Sequence, residues 1–169
     1  RLDGIGVISK EDALSYGYTG PNLRASGVEF DLRRATPYLQ YDKVDFKIPT
    51  FSEGDSLARY FVRADEVRES AKIVRQVLQL MTPGDIKANL PKSVLPQKTE
   101  VYSKMEELIH DFMIVNFGIN PPVGEVYHAI EGSKGELGFY LVSKGEGHPW
   151  KCKIRSPSFI HIQSLPHLV

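Results

Sequence analysis

One cysteine, Cys152, is present in 169 residues. A single thiol cannot close an internal disulfide or supply a four-thiolate metal site, and it fits a reducing compartment. Cys-x-x-Cys pairs are absent, and the five histidines, His110, His128, His148, His161 and His167, include no i,i+4 pair of the kind that holds zinc on a helix. No internal metal site is expected. Uninterrupted apolar runs of roughly 18 to 20 residues, the length of a bilayer-crossing helix, are also missing. An excess of charge is lacking too: 21 basic residues face 21 acidic ones, so no net field draws the chain toward nucleic acid or an anionic membrane surface. Gly4-Ile-Gly6 lacks the third glycine and preceding strand of a dinucleotide loop, and no P-loop spacing occurs.

What remains is 41% apolar residues, enough for one sizeable core or a substantial part of a larger one. The opening at Arg1 without a secretory leader, and the apolar residues running up to Val169 without a cap, suggest a piece of a longer protein. Glycines and prolines punctuate the first fifty residues, so only short elements fit there. Ser9-Lys-Glu-Asp12 has capping-box spacing, and Pro21 suits the first position of a turn of helix that stops at Gly27. Next, Leu57, Tyr60, Ala64, Val67, Ala71, Val74, Leu78 and Met81 recur in steps of three or four. This stripe predicts a long helix, beginning near Ser52-x-x-Asp55, supported by Asp65 with Arg68 and Glu69 with Lys72, and stopped by Pro83-Gly84. A second helix is expected over 98–116 from Val101, Met105, Leu108, Phe112 and Val115, ending at Gly118. The connector 82–97, with Pro83, Pro91 and Pro96, should run as an extended strap.

After Pro121-Pro122 the period shortens. The runs 126–130, 137–143 and 151–155 read as an antiparallel meander, the middle strand central and covered on both faces. Lys151, Lys153 and Arg155 should alternate outward from Cys152 and Ile154, leaving Cys152 as an inert packing residue. The fold class is therefore α+β, with two long bundle helices and a small β-meander. It divides into a turn-rich segment 1–50, a helical hairpin 51–118 and the meander 119–169, all within one partial domain.

The segment that stands out chemically is Glu131-Gly-Ser-Lys-Gly-Glu136, in the turn between two predicted strands. Glu131, Lys134 and Glu136 could form a charged cluster aimed at a cavity, or simply decorate a wet hairpin. Arg24, Arg33 and Arg34 lie in a turn-rich stretch, where the plain reading is surface ion pairs contributing about 0 to 1 kcal/mol. His128, midway along a strand, reads as a satisfied, half-buried histidine.

Several blocks, taken in order, resemble one family. They are Gly4-Ile-Gly-Val-Ile-Ser-Lys-Glu-Asp-Ala13, Gly20-Pro-Asn-Leu-Arg-Ala-Ser-Gly27, Gly54-Asp55, Met105-Glu-Glu-Leu-Ile-His110, Gly135-Glu-Leu-Gly-Phe-Tyr-Leu-Val-Ser-Lys-Gly145 and Cys152-Lys-Ile-Arg-Ser-Pro157. Together they resemble the 49 kDa-type subunit of respiratory complex I, which is related to the large subunit of nickel-iron hydrogenases. The resemblance implies a hydrogenase large-subunit-like fold, of which this chain is a middle-to-late part. It implies a wall of the quinone-reduction chamber, on the cytoplasmic or matrix side of an energy-transducing membrane. The implied neighbours are the subunit with the terminal iron-sulfur cluster and a membrane-arm subunit. No cofactor is implied for this stretch: quinone is substrate, and FMN and the iron-sulfur clusters belong to partner subunits. In hydrogenases a Glu-x-Pro-Arg-Gly pattern projects its arginine over the metals, and Lys134 takes that arginine's place. Glu131, Lys134 and Glu136 become candidates for charge relay, and Arg24 and Arg34 for bracing nearby loops. This chain has Gly132 and Ser133 where the family pattern usually reads Ala-Pro, so the loop loses a rigid residue. A membrane-bound hydrogenase subunit, or an assembly scaffold, is the alternative.

Overall fold

A computed structural model describes residues 1–85, 90 and 93–168. The middle of the expected strap, including Pro91, lies outside the described residues. The chain forms two compact units interleaved in sequence. One comprises Arg1–Met81, His128–Gly138 and Ile154–Val169; the other comprises Thr82–Tyr127 and Phe139–Lys153.

The first unit starts with α1 (Lys10–Ser15). Its cap is Ser9, whose Oγ accepts from the Asp12 amide at 3.0 Å, as the capping box predicts. A single turn, α2 (Pro21–Arg24), begins on its proline, and α3 (Leu32–Ala35) is capped by the Asp31 carboxylate. The rod α4 (Ser56–Leu80) is capped by Asp55, which accepts from the Ala58 amide at 2.7 Å; the cap is thus Asp55 itself rather than Ser52. Both expected ion pairs along it, Asp65 with Arg68 and Glu69 with Lys72, are formed.

Three apolar clusters hold this unit together. Ile8, Ala13, Tyr18 and Leu23 form one; Ala25 meets Ala58 and Val62 of α4 in the second; Val44 and Phe46 meet Ile73 in the third. The side of α4 that this chain buries therefore runs through Ala58, Val62 and Ile73. It is not the stripe read from the sequence, because Tyr60, Val67, Val74, Leu78 and Met81 are exposed. Apolar residues lie on more than one side of α4, and the small Ala25 and Ala58 permit the close approach of α2 to α4 that decides which side is covered here.

In the second unit the expected single helix is two. The turn α5 (Lys98–Val101) ends where the Ser103 and Lys104 amides both donate to the Glu100 carbonyl, and Lys104 is extended before α6 (Met105–Phe117) begins. Ser103 Oγ donates to the Thr99 carbonyl at 3.0 Å, the side-chain-to-backbone bond that weakens helices at serine. No hydrophobic residue of this unit is buried among the described residues; Phe112, Met105 and Tyr102 are all exposed.

Strands β1 (Gly124–Gly132), β2 (Gly135–Ser143) and β3 (Lys151–Arg155) form one sheet in the order β1-β2-β3, so the α+β class and the central place of the middle strand hold. Coverage differs from expectation. Phe139 of β2 is exposed, so β2 is not covered on both faces. On β3, Lys151 and Lys153 are exposed as expected, but Cys152 and Ile154 are exposed too and Arg155 is half-buried, so the expected alternation is absent. The reason is local: Arg155 is held inward by the Glu136 carbonyl at 2.9 Å and the Gly17 carbonyl at 3.2 Å. His128, expected half-buried, is exposed and stands edge-on to Tyr38. After β3 the chain turns helical, with α7 (Pro157–His161), a 3-10 turn and α8 (Leu165–Leu168), which strand periodicity could not foresee. Among the described residues no helix is long and apolar enough to cross a membrane.

Candidate functional site

Ser133 and Lys134 form the two-residue turn joining β1 to β2. Its C-terminal side is pinned by a close crossing of two backbones. Gly20 has φ 67°, and a Cβ there would lie 2.6 Å from the Gly135 nitrogen; a Cβ on Gly135 would lie 2.9 Å from the Thr19 carbonyl. Only glycine fits either place. The Glu136 amide adds a bond to Thr19 Oγ1 at 3.1 Å, and the Glu136 carboxylate lies 3.4 Å from Arg155.

The N-terminal side is pinned by charge. Glu131, the penultimate residue of β1, reaches Arg24 of α2, which is 1% exposed. Arg24 Nη1 donates to Glu131 Oε1 at 2.9 Å and to the Phe30 carbonyl at 2.8 Å. Its Nε donates to Glu66 Oε1 of α4 at 2.9 Å, and Nη2 donates to the same oxygen. Asp31 lies 3.6 Å from Arg24 and is held mainly by Arg33, whose Nη2 donates at 2.6 Å. Five buried or nearly buried charges from α2, α3, α4 and β1 thus share one cluster. Such a network is costly to desolvate, and removing one member is costlier because it leaves its partners unpaired.

Burial pushes the Glu131 carboxyl above its ordinary range. Arg24 opposes that rise, and Asp31 adds to it. Burial likewise raises the Tyr38 phenol, whose oxygen accepts from the Glu131 amide at 3.1 Å. Burial works against the charge of Arg33, but its hydrogen bonds and attraction to Asp31, together with weaker attraction to Glu131 and Tyr41, outweigh it. Beside the cluster lies a cavity of about 460 Å³, with Arg24, Arg33, Arg63, Glu66, Glu131 and Ser133 in its lining.

The residues expected to act together are therefore divided. Glu131 is inside the ionic cluster, Glu136 pairs with Arg155, and Lys134 is exposed, making no ion pair among the described residues. Lys134 does not sit between carboxylates. Arg24 is the hub of the cluster, not a surface pair. Arg34 stands outside it, donating to the Phe46 carbonyl at 2.8 Å and stacking over that ring. Glu66, Asp31, Arg33 and Tyr38 join the site without having been expected there. Glu66 carried a signal, since it falls one i+4 step from Val62 on the side of α4 that Ala58 and Val62 mark as buried.

A second polar cluster has no signature in the sequence. The His161 ring packs on Tyr18 at 4.7 Å, and its Nε2 accepts from the Thr19 amide at 3.4 Å; burial pushes its pKa down to about 4. Among the described residues no three His, Cys, Asp or Glu side chains are placed to hold a metal ion.

Comparison with known proteins finds relatives along the whole chain. The chain is 57% identical over 169 residues to an NADH-quinone oxidoreductase subunit of Chloroherpeton thalassium, covering all of this chain and 38% of that protein. It is 54% identical over 170 residues to the corresponding subunit of Salinibacter ruber, again all of this chain and 38% of the relative. The counterpart in Methylacidiphilum infernorum is 53% identical over 169 residues, 40% of its length. The chain thus spans about two fifths of the length of the curated relatives it matches. The family model described as "Respiratory-chain NADH dehydrogenase, 49 Kd subunit" matches residues 1–169, so the chain belongs to that family.

Proposed function

We propose that this chain forms part of the quinone-reduction chamber of an NADH-quinone oxidoreductase, within a hydrogenase large-subunit-like fold, and takes part in coupling quinone reduction to ion translocation. It would lie peripherally on the cytoplasmic or matrix side of the membrane, against the subunit carrying the terminal iron-sulfur cluster and a membrane-arm subunit. FMN and the iron-sulfur clusters would be held by partner subunits.

The supporting observation is the β1–β2 turn. It is fixed on one side by the Gly20–Gly135 crossing and on the other by the Glu131–Arg24 pair, yet it leaves Lys134 exposed. A rigid mount with an exposed ammonium suits a group offered to something outside this chain. In the assembled complex, Lys134→Ala should lower quinone reductase activity several-fold while electron transfer at the flavin persists. Unchanged quinone turnover would remove Lys134 from the chamber. A second reading, docking scaffold, is favoured by the exposed apolar residues of α4 and α6. It predicts less assembled complex on native gels, with turnover per complex intact.

A further inference from the structure

We infer that Arg24, Glu66 and Glu131 form a one-proton site, which fills and empties on Glu131 through the adjoining cavity. This deepens the charge-relay reading above and rests on it only for its use in coupling; the proton itself follows from geometry.

Counting charges leads there. Arg33 is committed to Asp31, with Nε on Oδ1 at 3.0 Å and Nη2 on Oδ2 at 2.6 Å. That leaves one guanidinium, Arg24, for two carboxylates, Glu66 and Glu131, whose side chains are 14% and 3% exposed. The other charged or titratable groups around Glu131 do not supply a second cation. Arg63 of α4 lines the cavity, but it is exposed, where solvent screens its charge, and it donates to Asn22 Oδ1 and the Arg59 carbonyl, each at 3.0 Å, with no ion pair to either glutamate among the described residues. Lys134 is exposed on the turn, His128 is exposed and edge-on to Tyr38, and Tyr38 and Tyr41 are phenols. Two carboxylates sharing one buried cation cannot both stay ionised cheaply, so the surplus negative charge is relieved by a proton.

The proton belongs on Glu131 rather than Glu66. Glu66 receives two bonds from Arg24 on one oxygen, whereas Glu131 receives one. Glu131 Oε2, the oxygen not bonded to Arg24, accepts from the Leu32 amide at 3.3 Å and from no other group among the described residues. Burial raises the carboxyl in the same direction. Access is provided by the cavity, whose about 460 Å³ has room for several waters at roughly 30 Å³ each and whose lining includes the exposed Arg63, Ser70 and Ser133. Loss of the proton makes Glu131 a stronger acceptor for Arg24 and for the Leu32 amide, two residues before the Lys134 turn begins. The charge state of the cavity is thereby tied to the mount of Lys134.

The test uses the assembled complex. Infrared spectra of wild type and Glu131→Gln, recorded across pH, should differ by a protonated-carboxyl C=O band that vanishes as pH rises above the ordinary carboxylate range. Glu66→Gln leaves Glu131 as the one carboxylate hydrogen-bonded to Arg24 and should shift that band's midpoint to lower pH by at least about one pH unit, a tenfold change in proton affinity. A band that titrates in the ordinary range, or a midpoint unmoved by Glu66→Gln, would overturn the one-proton site. If the band behaves as expected but the pH profile of quinone reduction is the same in Glu131→Gln as in wild type, the site stands and the charge-relay reading falls.

Discussion

The two compact units differ in how they treat their apolar residues. The first buries Ile8, Tyr18, Leu23, Phe46, Val62 and Ile73 in three clusters, and encloses a five-membered ionic network. The second has comparable apolar content along α6, yet Met105, Leu108, Phe112 and Phe117 all stay exposed. The contrast shows that an amphipathic pattern sets a helix's sidedness, while burial depends on what else is present to cover it. The first unit covers part of its apolar surface, leaving Tyr60, Val67, Val74 and Leu78 of α4 exposed; the second fully buries none of its hydrophobic residues among the described residues.

The strongest way to break this contrast is through Arg24. Arg24→Ala should destabilise the first unit by about 3–5 kcal/mol, since Glu66 and Glu131 are left buried without their cation; urea unfolding followed through first-unit amides would measure it. Amides of α6 should exchange with solvent at unchanged rates in the same experiment. Gly20→Ala should cost about 1–3 kcal/mol by forcing a Cβ against Gly135, with a further cost from the positive φ. Gly4→Ala, also at positive φ but with nothing within 4 Å, isolates that backbone part.

Stability against pH sharpens the picture. His161 keeps a folded pKa of about 4, below the ordinary histidine value, so the unfolded chain binds the proton first. First-unit stability should therefore fall as pH drops from about 6.5 toward 4, and His161→Asn should flatten that slope in unfolding curves. Glu131 acts oppositely. Its folded pKa is raised, so its contribution is present at low pH and lost as pH rises through the ordinary carboxylate range to the folded value; Glu131→Gln should remove that pH-dependent loss. The smallest effects come from neighbours on α4: Ile73→Val should cost about 0.5–1.5 kcal/mol and the exposed Val74→Ala within about 0.5 kcal/mol. Equal losses would mean that Val74 is covered after all.

Much of the fold was legible. The Ser9 cap, the start of α2 on Pro21, the length of α4 and the order of the three strands follow from capping chemistry, periodicity and turn residues, all local causes. The break at residues 102–104 was not, because a stripe in steps of three or four continues unchanged through a short interruption. The candidate site was half legible. Glu131, Lys134 and Glu136 stand out as charges clustered in a turn, but the partners of Glu131 lie 107 residues away at Arg24 and, through it, at Glu66 of α4. Spacing along the chain carries no record of such a meeting.

The sequence by itself determined that α1, α2, α4 and the three strands exist and in what order, which residues carry charge, and that the chain lacks the thiols and net charge for several whole classes of chemistry. Those follow from the backbone preferences and composition of neighbouring residues. Only the tertiary structure decided that Arg24 is a buried hub, that Lys134 stands apart from the carboxylates beside it in sequence, and that α4 buries its Ala58 side rather than its Tyr60 side. Each of those depends on which segments come to lie in contact, and burial changes the energy of a charge far more than its sequence neighbours do.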